Sequence, residues 1–155
     1  MIMLCACSQT PKDSQVPFYY PRAEYKHGIP NGVITSEIHE ISGHNDDLRY
    51  LLALYLQGPS DPELRTPFPS GTVLVDMMQY EREVTITLSS TAALLEGIDL
   101  TIACACLAET CFTICDVSQV RIQSLTSASG RFIDTTFTRD NLLLPGYEIL
   151  PEIPE

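Results

Sequence analysis

Basic side chains are scarce in this chain: nine Lys and Arg stand against twenty Asp and Glu, a formal charge of -11 over 155 residues. No run of Lys and Arg concentrates the positive charge, so the average field repels a nucleic-acid backbone and none is expected as a partner. The acidic residues are scattered rather than gathered in a tail, as on the solvated surface of a folded domain. No stretch reads as long enough to cross a bilayer. The sequence holds no G-x-G-x-x-G or G-K-[ST] phosphate cradle, no G-x-S-x-G elbow and no helical two-histidine zinc motif. Internal repeats are absent as well. These gaps remove the usual signatures of nucleotide, hydrolase and metalloprotease chemistry, and neither catalytic residues nor a cofactor is expected.

What is present is material for one core, with 45% of residues hydrophobic. Four of the six cysteines fall in CACLAETCFTIC, inside one apolar segment that reads as a helix. Neighbours on one helix rarely meet disulfide geometry, so they are read as small buried hydrophobes. The alternative, Cys104, Cys111 and Cys115 as metal ligands on one helical face, lacks a familiar zinc spacing and a nearby histidine to complete it. His39 and His44, with Glu37 or Asp46, could imitate a metal site but read as an exposed loop pair. Asp76 and Glu83 are expected to face each other across a hairpin, a pair that can divide acid and base duties but is common on acidic surfaces without catalysis.

At the N-terminus, Leu4-Cys5-Ala6-Cys7 has the pattern of a lipoprotein processing site with Cys7 as the lipid-attachment residue. Met1 to Ala6 supplies neither the basic segment nor the apolar run of a signal peptide. Two readings stand: a precursor that extends upstream of Met1, or an ordinary cysteine near a frayed end. SQTPKDSQVP follows as a polar, proline-punctuated tether.

Along the chain, a first strand is expected around Phe18 to Tyr20, closed by Pro21, and Asn31-Gly32 punctuates a turn. VITSEIHEI alternates as a second strand. Asn45 or Asp46 is expected to cap a helix whose buried stripe is Leu48, Leu51, Leu52, Tyr55 and Leu56, with Gly58 as left-handed cap and Pro59 as stop. VLVDMM and VTITLS form a hairpin, with Val73, Val75 and Met77 on one face of its first strand. A second helix, capped by Asp99 and running to about Cys115, is apolar on nearly every side. It should lie on the sheet and be covered by the first helix or by a partner. QVRIQSL is a final core strand, and FIDTTFTRDNLLLPG holds two further short pieces. Tyr19, Tyr20 and Tyr25 are candidate ligand-binding residues, a natural platform for sugar rings, though edge-strand packing is the preferred reading of them.

LALYLQGP (Leu52 to Pro59), FPSGTVL (Phe68 to Leu74), VTITLSS (Val84 to Ser90) and VSQVRIQSL (Val117 to Leu125) follow one another in an order that resembles the GerMN domain family of sporulation and spore germination. The resemblance covers roughly residues 17 to 126. It implies a small α/β (α+β) domain with a mixed, mainly antiparallel sheet, two principal helices and a β-β-α-β-β-α-β-like order. It also implies Gly58, Pro59, Pro69 and Gly71 as turn residues and Ser89 as a strand-end hydroxyl. Residues 1–16 are then a lipobox-like segment and tether, 17–126 the domain, and 127–155 a C-terminal extension packed on it.

By the same resemblance the chain is expected to be a non-catalytic, lipid-anchored module of the cell envelope. It would serve sporulation or germination through envelope or sporulation proteins, or through self-association. A lipoprotein domain that binds peptidoglycan or another cell-wall glycan is the alternative.

Overall fold

The structure is a computed structural model that describes residues 14–41, 43–44 and 46–142. Cys7 and its tether as far as Asp13, Asn45 and the terminal ILPEIPE lie outside the described residues, whereas the last tether residues, Gln15 to Pro17, open the first strand. The elements follow in the order β1 (Gln15–Pro21), β2 (Ile34–Glu40), α1 (Leu48–Leu56), β3 (Leu74–Tyr80), β4 (Glu83–Leu88), α2 (Gly97–Ile114), β5 (Gln119–Ser124) and β6 (Asp134–Thr138). A 3₁₀ turn at Ser90–Leu94 precedes α2. The α+β class, the two helices and the strand order expected from the sequence are therefore present, with one more strand at the end.

The strands divide into a two-stranded ribbon, β1-β2, and a four-stranded sheet in the order β3-β4-β5-β6. Antiparallel pairs flank a parallel β4–β5 centre. That centre is where burial is deepest: Val84, Ile86 and Leu88 alternate inward beside Val120 and Ile122, as expected where a crossover helix returns over the sheet. The opposite face carries Thr85, Thr87, Arg121 and Gln123 and is left partly or fully open. Residues 127–142 are not an appendage, because β6 pairs with β5 along its whole length, from Gln119↔Thr138 to Gln123↔Asp134.

Helix α1 buries Leu48, Leu51, Leu52 and Tyr55 at helical spacing. Its cap is Asp47 rather than Asp46: the Asp47 side chain accepts from the Tyr50 backbone N–H at 2.9 Å, satisfying one of the orphan donors of the first turn. In α2 the flanking residue is Glu96, and Asp99 lies inside the first turn, where its charge favours the positive end of the helix dipole. By length and composition α2 is apolar enough to cross a membrane, contrary to the reading of the bare sequence, yet most of it is buried inside the domain. One side (Ala103, Cys104, Leu107, Ala108, Cys111, Phe112) joins the main core. Another (Ile102, Ala105, Cys106) packs with Val33, Ile34 and Tyr19 of the ribbon segment. Among the described residues the β1-β2 ribbon thus covers one side of the all-apolar helix, and Leu51, Leu52 and Tyr55 of α1 share the main core with its other side.

The β3 face differs from simple alternation. A bulge between Leu74 and Asp76 shifts the register, so Leu74 and Met77 turn toward the core while Val73 and Val75 are exposed. The same register places Asp76 opposite Thr87 and Tyr80 opposite Glu83, which separates the expected Asp76–Glu83 pair. Asp76 instead meets Arg49 at 3.1 Å, and that guanidinium holds its carboxyl below the usual carboxylate range.

Gly58 follows α1 at φ +92, and a Cβ there would lie 2.4 Å from Thr66 Oγ1. Gly58→Ala is expected to cost about 1–3 kcal/mol. Urea unfolding should show a smaller loss when the same change is made on a Thr66→Ala background, because the clash is then gone and only the backbone strain remains.

Candidate functional site

Ribbon β1-β2 is built by residues that sort cleanly by position. Phe18 and Tyr20 point inward, and both are fully buried. Tyr20 stacks on Tyr55 of α1 at 5.0 Å, and Phe18 meets the same ring edge-on at 5.7 Å. The two hydroxyls are engaged: Tyr20 Oη donates to Tyr55 O at 3.1 Å and Tyr55 Oη donates to Tyr19 O at 3.0 Å. Burial pushes both phenols well above their ordinary range, so neither serves as an acid or base near neutrality.

Glu37 and His39 lie on this inner side. Glu37 accepts from the backbone N–H groups of Ser60 and Asp61 at 3.0 and 2.8 Å, and its carboxylate is 2.7 Å from His39 Nε2. The His39 ring lies 4.6 Å from Phe18. His44, by contrast, stacks on Tyr50 at 3.8 Å, so the two histidines are held by different partners. Among the described residues no group of three or more His, Cys, Asp or Glu is placed to hold a metal ion. The carboxylate and imidazole here fasten the loop after α1 to the ribbon.

The three tyrosines do not form one platform. Tyr19 and Tyr20 are adjacent on a strand and so point to opposite faces: Tyr20 has no exposed surface, while Tyr19 packs toward Ile102 and Cys106. Tyr25 is tied up in a third place, donating to Asp99 Oδ1 at 3.3 Å under the Arg65 guanidinium. Of the turn residues, Gly58 and Gly71 have positive φ. Pro69 O accepts from both the Thr72 N–H and its hydroxyl. Ser89, the strand-end hydroxyl, accepts from the Val73 N–H at 3.1 Å.

The four described thiols all lie on or just after α2. Cys104, Cys106 and Cys111 are buried without disulfides, and the half-buried Cys115 donates Sγ–H to Cys111 O. Burial pushes Cys104 up to about 12 and Cys115 to about 11, and Cys106 and Cys111 are raised as well. A raised thiol keeps its proton in the folded chain while the unfolded chain ionises near pH ~8.5. The stabilisation is therefore complete below that pH and is lost as pH rises toward the folded values. The urea midpoint should fall steadily from pH 8.5 to 11, and Cys104→Ala should flatten the fall.

The sequence did not reveal how the strand edges are treated, and this is the arrangement that bears on interaction. The outer edge of β1 is covered: Tyr19 N–H donates to Thr110 Oγ1 at 2.9 Å. Beyond it Arg65 N–H donates to Pro21 O and Ala23 N–H to Glu63 O. Pro17 and Pro21 occupy positions of the same parity, where a missing N–H costs the ladder nothing. On β3, Arg49 Nη2 donates to Met77 O at 3.2 Å. The outer edge of β2 has no such cover among the described residues.

Comparison with known proteins agrees with this fold. A solved structure from Clostridium perfringens, titled "Putative Lipoprotein", is similar at a TM-score of 0.51 and 20% identity, over 81% of this chain and 87% of that one. Among curated proteins none matches. The Germane model, described as sporulation and spore germination, matches residues 17–124, well over half of the chain and nearly the 17–126 extent of the resemblance seen in the sequence. The chain belongs to the Germane family, and its domain is a GerMN domain.

Proposed function

We propose that this domain is a non-catalytic module of the bacterial cell envelope that joins a protein assembly of sporulation or germination. The supporting observation is the division between engaged chemistry and an uncovered edge. The Glu37–His39 pair holds a loop, the thiols fill the core, and the phenols are hydrogen-bonded inside. Strand β2, meanwhile, leaves its outer backbone groups without a described partner. Because α2 is covered by the chain's own ribbon, the assembly surface is the strand edge and not that helix. Anchoring through Cys7 would place the module outside the cytoplasmic membrane, and the family context supports that location.

The test is site-specific photo-crosslinking from β2 in cells, run beside co-sedimentation of the purified domain with insoluble peptidoglycan. Discrete protein adducts without peptidoglycan binding support assembly. Peptidoglycan binding without adducts would overturn it in favour of the glycan reading.

A further inference from the structure

The assembly reading leaves open which groups dock and what they receive, and the hydrogen-bond parity of the ribbon answers both. Arg22 N–H donates to Val33 O and Ile41 N–H to Ser14 O, so the even-numbered residues of β1 bond toward β2. Tyr19 N–H turns the other way, to Thr110. The register pairs Gln15, Pro17, Tyr19 and Pro21 with Glu40, Ile38, Ser36 and Ile34. Those four residues of β2 therefore direct their N–H and C=O groups away from β1. Nothing described bonds to them. The other edges are shorter or obstructed: β3 carries a bulge and the Arg49 cap, and β6, five residues long, has its Thr138 N–H closed by Asn141.

Charge selects the occupant. From Val33 to Leu48 the sequence carries no Lys or Arg; Glu40, Asp46 and Asp47 are exposed, while Glu37 is turned to the inner face and held by His39 and the Ser60 and Asp61 N–H groups. The nearest arginines are engaged, Arg22 with Glu63 and Arg49 with Asp76. A second copy would set this acidic edge against its own, and like charges across a strand pair are destabilising. We propose that the outer edge of β2 receives an extended, basic peptide segment of a protein partner, which adds to the ribbon as a third strand. Main-chain bonds at Ser36, Ile38 and Glu40, the exposed outward positions of β2, supply the pairing, since Ile34 is buried against α2. Ile38, 59% exposed, supplies an apolar contact, and the carboxylates select Lys and Arg in the incoming strand. This rests on the assembly reading and gives it a partner chemistry.

The probe is the blocked peptide Lys-Val-Lys-Val-Lys-Val-Lys, titrated into the domain and followed by amide NMR. Shifts are expected to concentrate on residues 33–41 and to weaken with salt. The Glu-for-Lys peptide should bind at least about tenfold more weakly. Ser36→Pro removes an outward N–H without touching the β1 ladder and should cut affinity by about tenfold or more, with the melting temperature showing that the fold is kept. Ile38→Lys, an exposed change, should weaken binding severalfold and serves if the proline variant does not fold. Shifts mapping elsewhere, equal binding of both peptides, binding indifferent to both variants, no binding at millimolar peptide, or self-association through β2 in sedimentation would each overturn the proposal. Cellular adducts that persist in Ser36→Pro overturn this edge and leave assembly standing. Peptide binding with no adducts overturns assembly alone.

Discussion

Tyr55→Ala is expected to lower the stability of the domain by about 3–5 kcal/mol, the range for removing a large buried side chain. The ring is fully buried, is stacked on Tyr20 and meets Phe18 edge-on. Its hydroxyl is the donor to Tyr19 O. The change thus empties the contact between α1 and the ribbon and leaves a carbonyl without its donor. A domain of this size has only about 5–15 kcal/mol in total, so the variant should unfold at a melting temperature lower by about 10 °C or more. Tyr55→Phe keeps the stack and loses only the hydroxyl, and should cost about 1 kcal/mol. Equal losses for the two variants in urea titration would mean that the stack contributes nothing.

Thr110→Val is expected to cost about 1–3 kcal/mol although it barely changes volume. The Thr110 hydroxyl is fully buried, accepts from Tyr19 N–H at 2.9 Å and donates to Cys106 O at 2.8 Å. Valine leaves the Tyr19 N–H facing a methyl group inside the core, where no water replaces the lost bond. Thr110→Ser retains both bonds and should lose markedly less. Thermal melts of the three proteins decide the matter, and a serine variant as weak as the valine one would make the effect a matter of packing.

The parts of this fold that were legible in the sequence are those governed by local periodicity. The Leu48-Leu51-Leu52-Tyr55 stripe, the Gly58 stop, the β3–β4 hairpin and the helical cysteine segment depend on neighbours a few residues apart. The choice of Asp47 over Asp46 as cap depends on which carboxylate reaches the Tyr50 N–H, a geometric detail within one turn. The bulge after Leu74 inverted the apparent alternation of β3, and alternation carries no sign of an extra residue. What covers α2 was not legible, because Ile102 and Cys106 meet Val33 and Ile34 across about seventy positions of sequence. The candidate site was hidden for the same reason: an edge is a property of topology, and β2 reads the same whether or not another strand lies beside it. Tyr19, Tyr20 and Tyr25 look like a cluster in sequence, but strand pleating sends the first two to opposite sides.

The separation of β1-β2 from the four-stranded sheet has a thermodynamic consequence. A two-stranded ribbon is marginal by itself in water, and this one shares no backbone ladder with the larger sheet. It is held by the Thr110 bond, by the 63–65 segment along β1 and by aromatic packing on α1. Detachment of the ribbon is accordingly a sub-global opening, reached at a lower free energy than loss of the whole domain. The ladder amide protons of β1 and β2 exchange with solvent through that opening, and a strand gained at β2 slows the exchange on both.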